Sequence, residues 1–80
     1  MSRVHDIRGI PVHVNDRVAV AEVDIGDSPF LMVGRVEEVG TKDEFGLATI
    51  TVRVTLCPAY PRDVGQTRTY SDSYDFVVIP

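Results

Sequence analysis

The sequence predicts an all-β chain of five strands closing into a small antiparallel barrel, on three observations. In "LATITVRVTL", Ile50, Val52, Val54 and Leu56 alternate with Thr49, Thr51, Arg53 and Thr55, the period of a half-buried antiparallel strand. Clusters of Gly, Pro, Asn and Asp interrupt the apolar segments at short intervals, and no stretch repeats with the spacing of an amphipathic helix. Eighty residues are also too few for a two-sheet sandwich of useful size, whereas a barrel hides its strand edges.

Taken in order, "NDRVAVAEV" runs from the turn formers Asn15 and Asp16 into a β-branched segment, predicting a first strand over 17–23. "DIGDSP" (24–29) is dense in loop formers. "FLMVGRVEEVG" predicts a second strand over 30–39 whose apolar phase slips, because Leu31 and Val33 are odd, Val36 is even and Val39 is odd again. Gly34 sits at the first slip. The expectation is a bend or bulge there, a barrel corner that moves the buried set from Leu31 and Val33 to Val36. "GTKDEFG" (40–46) is a polar connection, and the third strand then buries Ile50, Val52, Val54 and Leu56. "CPAYPRDVGQ" is a longer loop holding Pro58 and Pro61, which cannot donate to a central ladder. A short strand over 67–71, the turn "SDSYD" and the strand "FVVI" complete the chain. Residues 1–9 are expected as an N-terminal arm and 10–80 as a single domain.

A chain of this length buries only roughly 60–65% of the surface its unfolded form exposes, which leaves little room for a deep substrate cavity. Twelve acids against eight bases give a net charge of −4, where nucleic-acid binders usually concentrate positive charge to neutralise phosphates. The arginines are spread along the sequence, so nucleic acid is not the expected partner. The single cysteine, Cys57, cannot form an internal disulfide, no apolar run approaches a membrane span, and the N-terminus lacks the apolar region of a signal peptide. The expected place is the cytoplasm, with no membrane association.

The order of elements, together with "VNDRVAV" and "GRVEEV", resembles the SH3-like barrels, and the two segments resemble the opening strands of KOW and Tudor domains, with Asn15 standing where a glycine usually precedes Asp16. The pattern led in by "DIRGIPVHVNDRVAV" also resembles small proteins of actinobacterial tailed phages. The resemblance implies strand, long loop, bent strand, polar loop, strand, connection, short strand, a one-turn segment and a last strand. It further implies that Tyr74, in "SDSYDFVVIP", occupies the position of a groove tyrosine, and that Asp24 and Asp27 lie in the loop whose acids meet a basic ligand residue. The chain has no tryptophan, so the aromatic groove that proline-rich peptides require is not expected.

His5 and His13, with Asp6 or Cys57, match no zinc spacing, so no metal and no cofactor is expected. Cys57 has no sequence neighbour that would activate a thiol, and the acids Glu37, Glu38, Asp43 and Glu44 offer no pair of contrasting environments, so no catalytic residue and no enzyme activity is expected. Phe45 and Tyr60 fall in loops, where large aromatics mark contact surfaces, while Phe30, Tyr70 and Phe76 supply core candidates. A Tudor-like aromatic cage would need three rings to converge. The expected function is a non-catalytic binding module for a protein with a basic patch, through Asp24, Asp27, Asp43, Glu44, Phe45 and Tyr74, with the loops 24–29 and 40–46 side by side. The competing class is a KOW-like nucleic-acid-binding barrel.

Overall fold

The computed structural model describes residues 4–80. It is an all-β fold of one antiparallel sheet, with β1 (Arg17–Val23), β2 (Pro29–Lys42), β3 (Ala48–Leu56), β4 (Thr67–Ser71) and β5 (Phe76–Ile79) in the spatial order β4-β3-β2-β1-β5. The ladder is open, since β4 and β5 form its two edges and do not pair with each other. The expected closure into a barrel is therefore not made through hydrogen bonds. The inner face is nonetheless dry: Val18, Val20, Met32, Val36, Ile50, Val52, Val54, Tyr70 and Phe76 are nearly or wholly buried in one cluster. Among the described residues only Val4, Val12 and Cys57, from outside the five strands, add to that cluster, so the sheet must coil over itself to exclude water from side chains on both edge strands.

Three short hairpins share one local device. Asp6, Asp24 and Asp43 each accept, through Oδ1, the amides two and four residues on: Arg8 and Ile10, Gly26 and Ser28, Phe45 and Leu47. Each aspartate amide also donates to the carbonyl four residues on, and each aspartate carbonyl accepts from the residue three on. That third residue has positive φ in every case: Gly9 (83°), Asp27 (59°) and Gly46 (78°). Glycine suits that conformation, and aspartate tolerates it better than most residues. Asn15, in the turn that leads into β1, likewise has φ of 75°.

The first of these hairpins spans residues 4–12, across the boundary expected between arm and domain, while positions 1–3 lie outside the described residues. It buries Val4 and Val12 in the common core. It also guards the outer edge of β5, because Ile7 donates to the Phe76 carbonyl and Val78 donates to Asp6 Oδ2 at 3.0 Å.

Pairing of β2 with β3 shifts register between Val33 and Gly34, between Val36 and Glu38, and between Val39 and Thr41. The first irregularity lies at Gly34 as expected, but the extra residue is Thr55, on β3. The expected change of buried face there is corrected: Met32, Gly34 and Val36 all face inward, while Leu31 is 65% exposed. The inward phase of β2 slips later, around Glu37, where an extra residue carries burial from Val36 to Val39. Gly34 has a packing reason instead, since a Cβ there would collide with the Val52 side chain and come within 2.7 Å of the Arg53 carbonyl oxygen. The Thr55 bulge also overturns the inward placement of Leu56, which is 53% exposed, and turns Cys57 into the core. The one-turn segment expected between β4 and β5 lies one connection earlier, as a 3₁₀ turn η1 over Pro61–Asp63, and β4 joins β5 by a simple turn.

Candidate functional site

At the end of β1, the coiled sheet leaves a cleft of about 430 Å³ between the β1–β2 turn and η1. Glu22, on the inward row of β1, and Phe30, on the inward row of β2, form part of its wall, with Val23 and Ile25 on the rim. Across the opening stand Tyr60, Asp63 and Arg68. The Thr55 bulge and the two prolines of the 57–66 loop set Tyr60 in place, and η1 then begins at Pro61, whose fixed φ suits a first helical position.

Tyr60 is held on two sides. Its ring meets Phe30 edge to face, with centroids 5.0 Å apart and planes at 72°. Its hydroxyl donates to Asp24 Oδ2 at 2.8 Å. That bond, with the Ser28 and Gly26 amides, holds the Asp24 carboxyl below its ordinary range, and the same bond, with loss of solvent, raises the Tyr60 phenol above its own. Arg68 Nη2 donates to Asp63 Oδ2 at 2.9 Å. The Glu22 carboxylate lies near the Tyr70 hydroxyl and helps to raise that phenol. The cleft thus presents two aromatic surfaces and three carboxylates against one guanidinium that is already paired. Such a surface suits a cation on an apolar stem, with the ammonium or guanidinium near the carboxylates and the methylenes against the rings.

Of the residues expected at the site, Asp24 lies in the cleft, and Asp27 stands in the same turn with its carboxylate exposed. Asp43, Glu44 and Phe45 occupy the turn at the opposite end of β2, with Glu44 and Phe45 exposed. Among the described residues, no hydrogen bond or ion pair joins the acids of the two turns. Tyr74 lies in the β4–β5 turn and packs edge to face on Tyr70 at 5.1 Å. Burial first, then the charge of Glu22, raises the Tyr70 phenol, whose buried hydroxyl has no partner among the described residues. Sequence reasoning singled out Tyr60 only as a loop aromatic and missed Glu22, Asp63 and Arg68. The even phase shared by Glu22, Phe30 and Arg68 with the core residues of their strands was the available signal.

The outward face carries a different pattern. Arg17 pairs with Arg35, and Arg35 with Arg53, forming one row across β1, β2 and β3. Arg53 is bound to Glu37 at 2.7 Å, while Arg17 and Arg35 donate to the Pro80 and Asn15 carbonyls. Toward the β1–β2 turn the next rows are apolar: Ala19, Val33 and Leu56, then Ala21 and Leu31, then Val23 and Pro29. A groove of about 540 Å³ runs there between β2 and the 57–59 segment.

Among the described residues, no group of His, Cys, Asp or Glu is arranged to hold a metal ion, and no helix is long and apolar enough to cross a membrane. Compared with family models, curated proteins and solved structures, the chain matches none of them.

Proposed function

We propose that the chain is an SH3-like, non-catalytic binding module that captures a protein segment bearing a basic side chain, and that the cleft at Tyr60 is its recognition site. The observation that carries this reading is the Phe30–Tyr60 pair set beside Glu22, Asp24 and Asp63 in one opening. The strand order, in which β5 pairs with β1 beside a β1-to-β4 meander, supports the SH3-like assignment. The cleft's excess of carboxylates supports a basic ligand, with acids steering encounter and the rings supplying contact area. The sequence pattern led in by "DIRGIPVHVNDRVAV", which resembles small proteins of actinobacterial tailed phages, favours a place in a bacterial host cytoplasm or a virion.

The test is selection from a random peptide library on the immobilised protein. Selected sequences are expected to contain Arg or Lys beside apolar residues, and Tyr60→Ala should abolish their binding. Selection without basic residues, or binding indifferent to Tyr60→Ala, would refute the reading.

A second reading, a KOW-like nucleic-acid-binding barrel, has the Arg17–Arg35–Arg53 row in its favour. Against it, Arg53, Arg8 and Arg68 are each paired with an acid, and the chain carries a net charge of −4. Duplex binding is expected to be weak at physiological salt. Sub-micromolar affinity at about 150 mM salt, with the steep salt slope of phosphate contacts, would reverse the preference.

A further inference from the structure

We infer that the outward face of β1 and β2 is a self-association surface, on which a second copy of this chain packs face to face about a two-fold axis. A single-layer antiparallel sheet normally solvates its outer side. Here that side bears consecutive apolar rows, with Leu31 and Leu56 more than half exposed and the groove beside them lined without a charged residue. Patches of this kind mark contact surfaces. Ala19 and Ala21 keep the middle of the face low, so a second sheet can approach closely.

The charges at the two ends select the occupant. Arg17 and Arg35 close one end of the apolar rows, and the β1–β2 turn with Asp27 closes the other. A two-fold axis lying between the faces and running across the strands places the arginine end of each copy over the Asp27 turn of the other, twice. An isologous interface requires such self-complementarity. Asp27 itself points the same way. The two sister turns use glycine at this positive-φ position, whereas here an aspartate takes the strained conformation and presents a carboxylate with no hydrogen-bond partner among the described residues. A face meeting only nucleic acid would gain nothing from that charge.

Sedimentation-equilibrium measurements over a protein concentration series test this. The wild type is expected to show a monomer–dimer equilibrium in the micromolar range, roughly that of a small transient interface. Leu31→Asp should weaken dimerisation at least ~10-fold while the melting temperature holds, because the side chain already faces water. Asp27→Gly should raise the melting temperature yet weaken the dimer. Arg35→Glu should also weaken it, and combining Arg35→Glu with Asp27→Arg should restore it. A wild type that stays monomeric to about 0.5 mM, or a dimer untouched by Leu31→Asp, would overturn the inference. So would duplex DNA or an acidic polypeptide binding this face without self-association.

Discussion

Asp6, Asp24 and Asp43 are turn-building residues before they are surface charges, and that changes what their removal should do. Asp43→Ala leaves two amides without their acceptor and should cost about 1–2 kcal/mol in urea unfolding, whereas Asp43→Asn, which keeps an oxygen in place, should cost a fraction of that. Asp6 is the extreme case, with its side chain fully buried. Burial by itself would raise its pKa, but the Val78 and Ile10 amides and Arg8 outweigh it and hold the carboxyl far below 3.8. A carboxyl depressed on folding adds stability that is complete above the unfolded value and is lost as pH falls through the acid range. The melting temperature should therefore drop steeply below about pH 4, and Asp6→Asn should lower it at neutral pH while flattening the acid slope. A wild-type profile as flat as the variant's would contradict this. The turn at Asp6 was read only as an N-terminal arm and the one at Asp43 only as a polar connection, and the bifurcated carboxylates escaped notice because loop acids read equally well as solvated. Asp24 was expected as a ligand-facing acid and is found both supporting its turn and accepting from Tyr60.

At the scale of elements, β1, β4 and β5 match the bounds read from the sequence, because their ends coincide with Asn, Asp, Gly and Pro clusters. Phase within β2 and β3 was harder. In β2 apolar residues occupy both faces, so alternation could not say which set was inward. In β3 Ile50, Val52 and Val54 are inward as read, and only Leu56 departs, because the bulge at Thr55 leaves no compositional mark. Gly34 was rightly suspected of structural importance, but as the floor under Val52 rather than a change of face. Gly34→Val should destabilise by at least about 2 kcal/mol through overpacking, and its cost can be read from the urea midpoint. Val52→Asp should unfold the domain, since an unpaired charge in a core this small exceeds its marginal stability. Leu56→Asp, two alternations along the same strand, should leave a cooperative thermal transition near the wild-type value. Equal damage from both would mean that β3 has no bulge at Thr55.

The whole molecule presents two surfaces with different chemistry, a cleft at the mouth of the coiled sheet and an apolar outer face ended by opposite charges. Neither could be read from the sequence as a place. Glu22, Phe30, Tyr60, Asp63 and Arg68 come together only because the sheet coils, and the arginine row arises only from the pairing of β1, β2 and β3. Linear dispersal of the arginines hid it. Charge reversal separates the loops that were expected to act together: Asp63→Lys should slow association of a basic ligand, while Glu44→Lys, in the far turn, should change only weak long-range steering. The measurement that bears most directly on the central claim is a backbone amide chemical-shift titration with a library-selected basic peptide. Shifts are expected to concentrate at Glu22, Asp24, Phe30, Tyr60, Asp63 and Arg68, and to vanish in Tyr60→Ala with the fold intact. Shifts confined to the Arg17–Arg35–Arg53 row, or to the turn at Phe45, would contradict the claim.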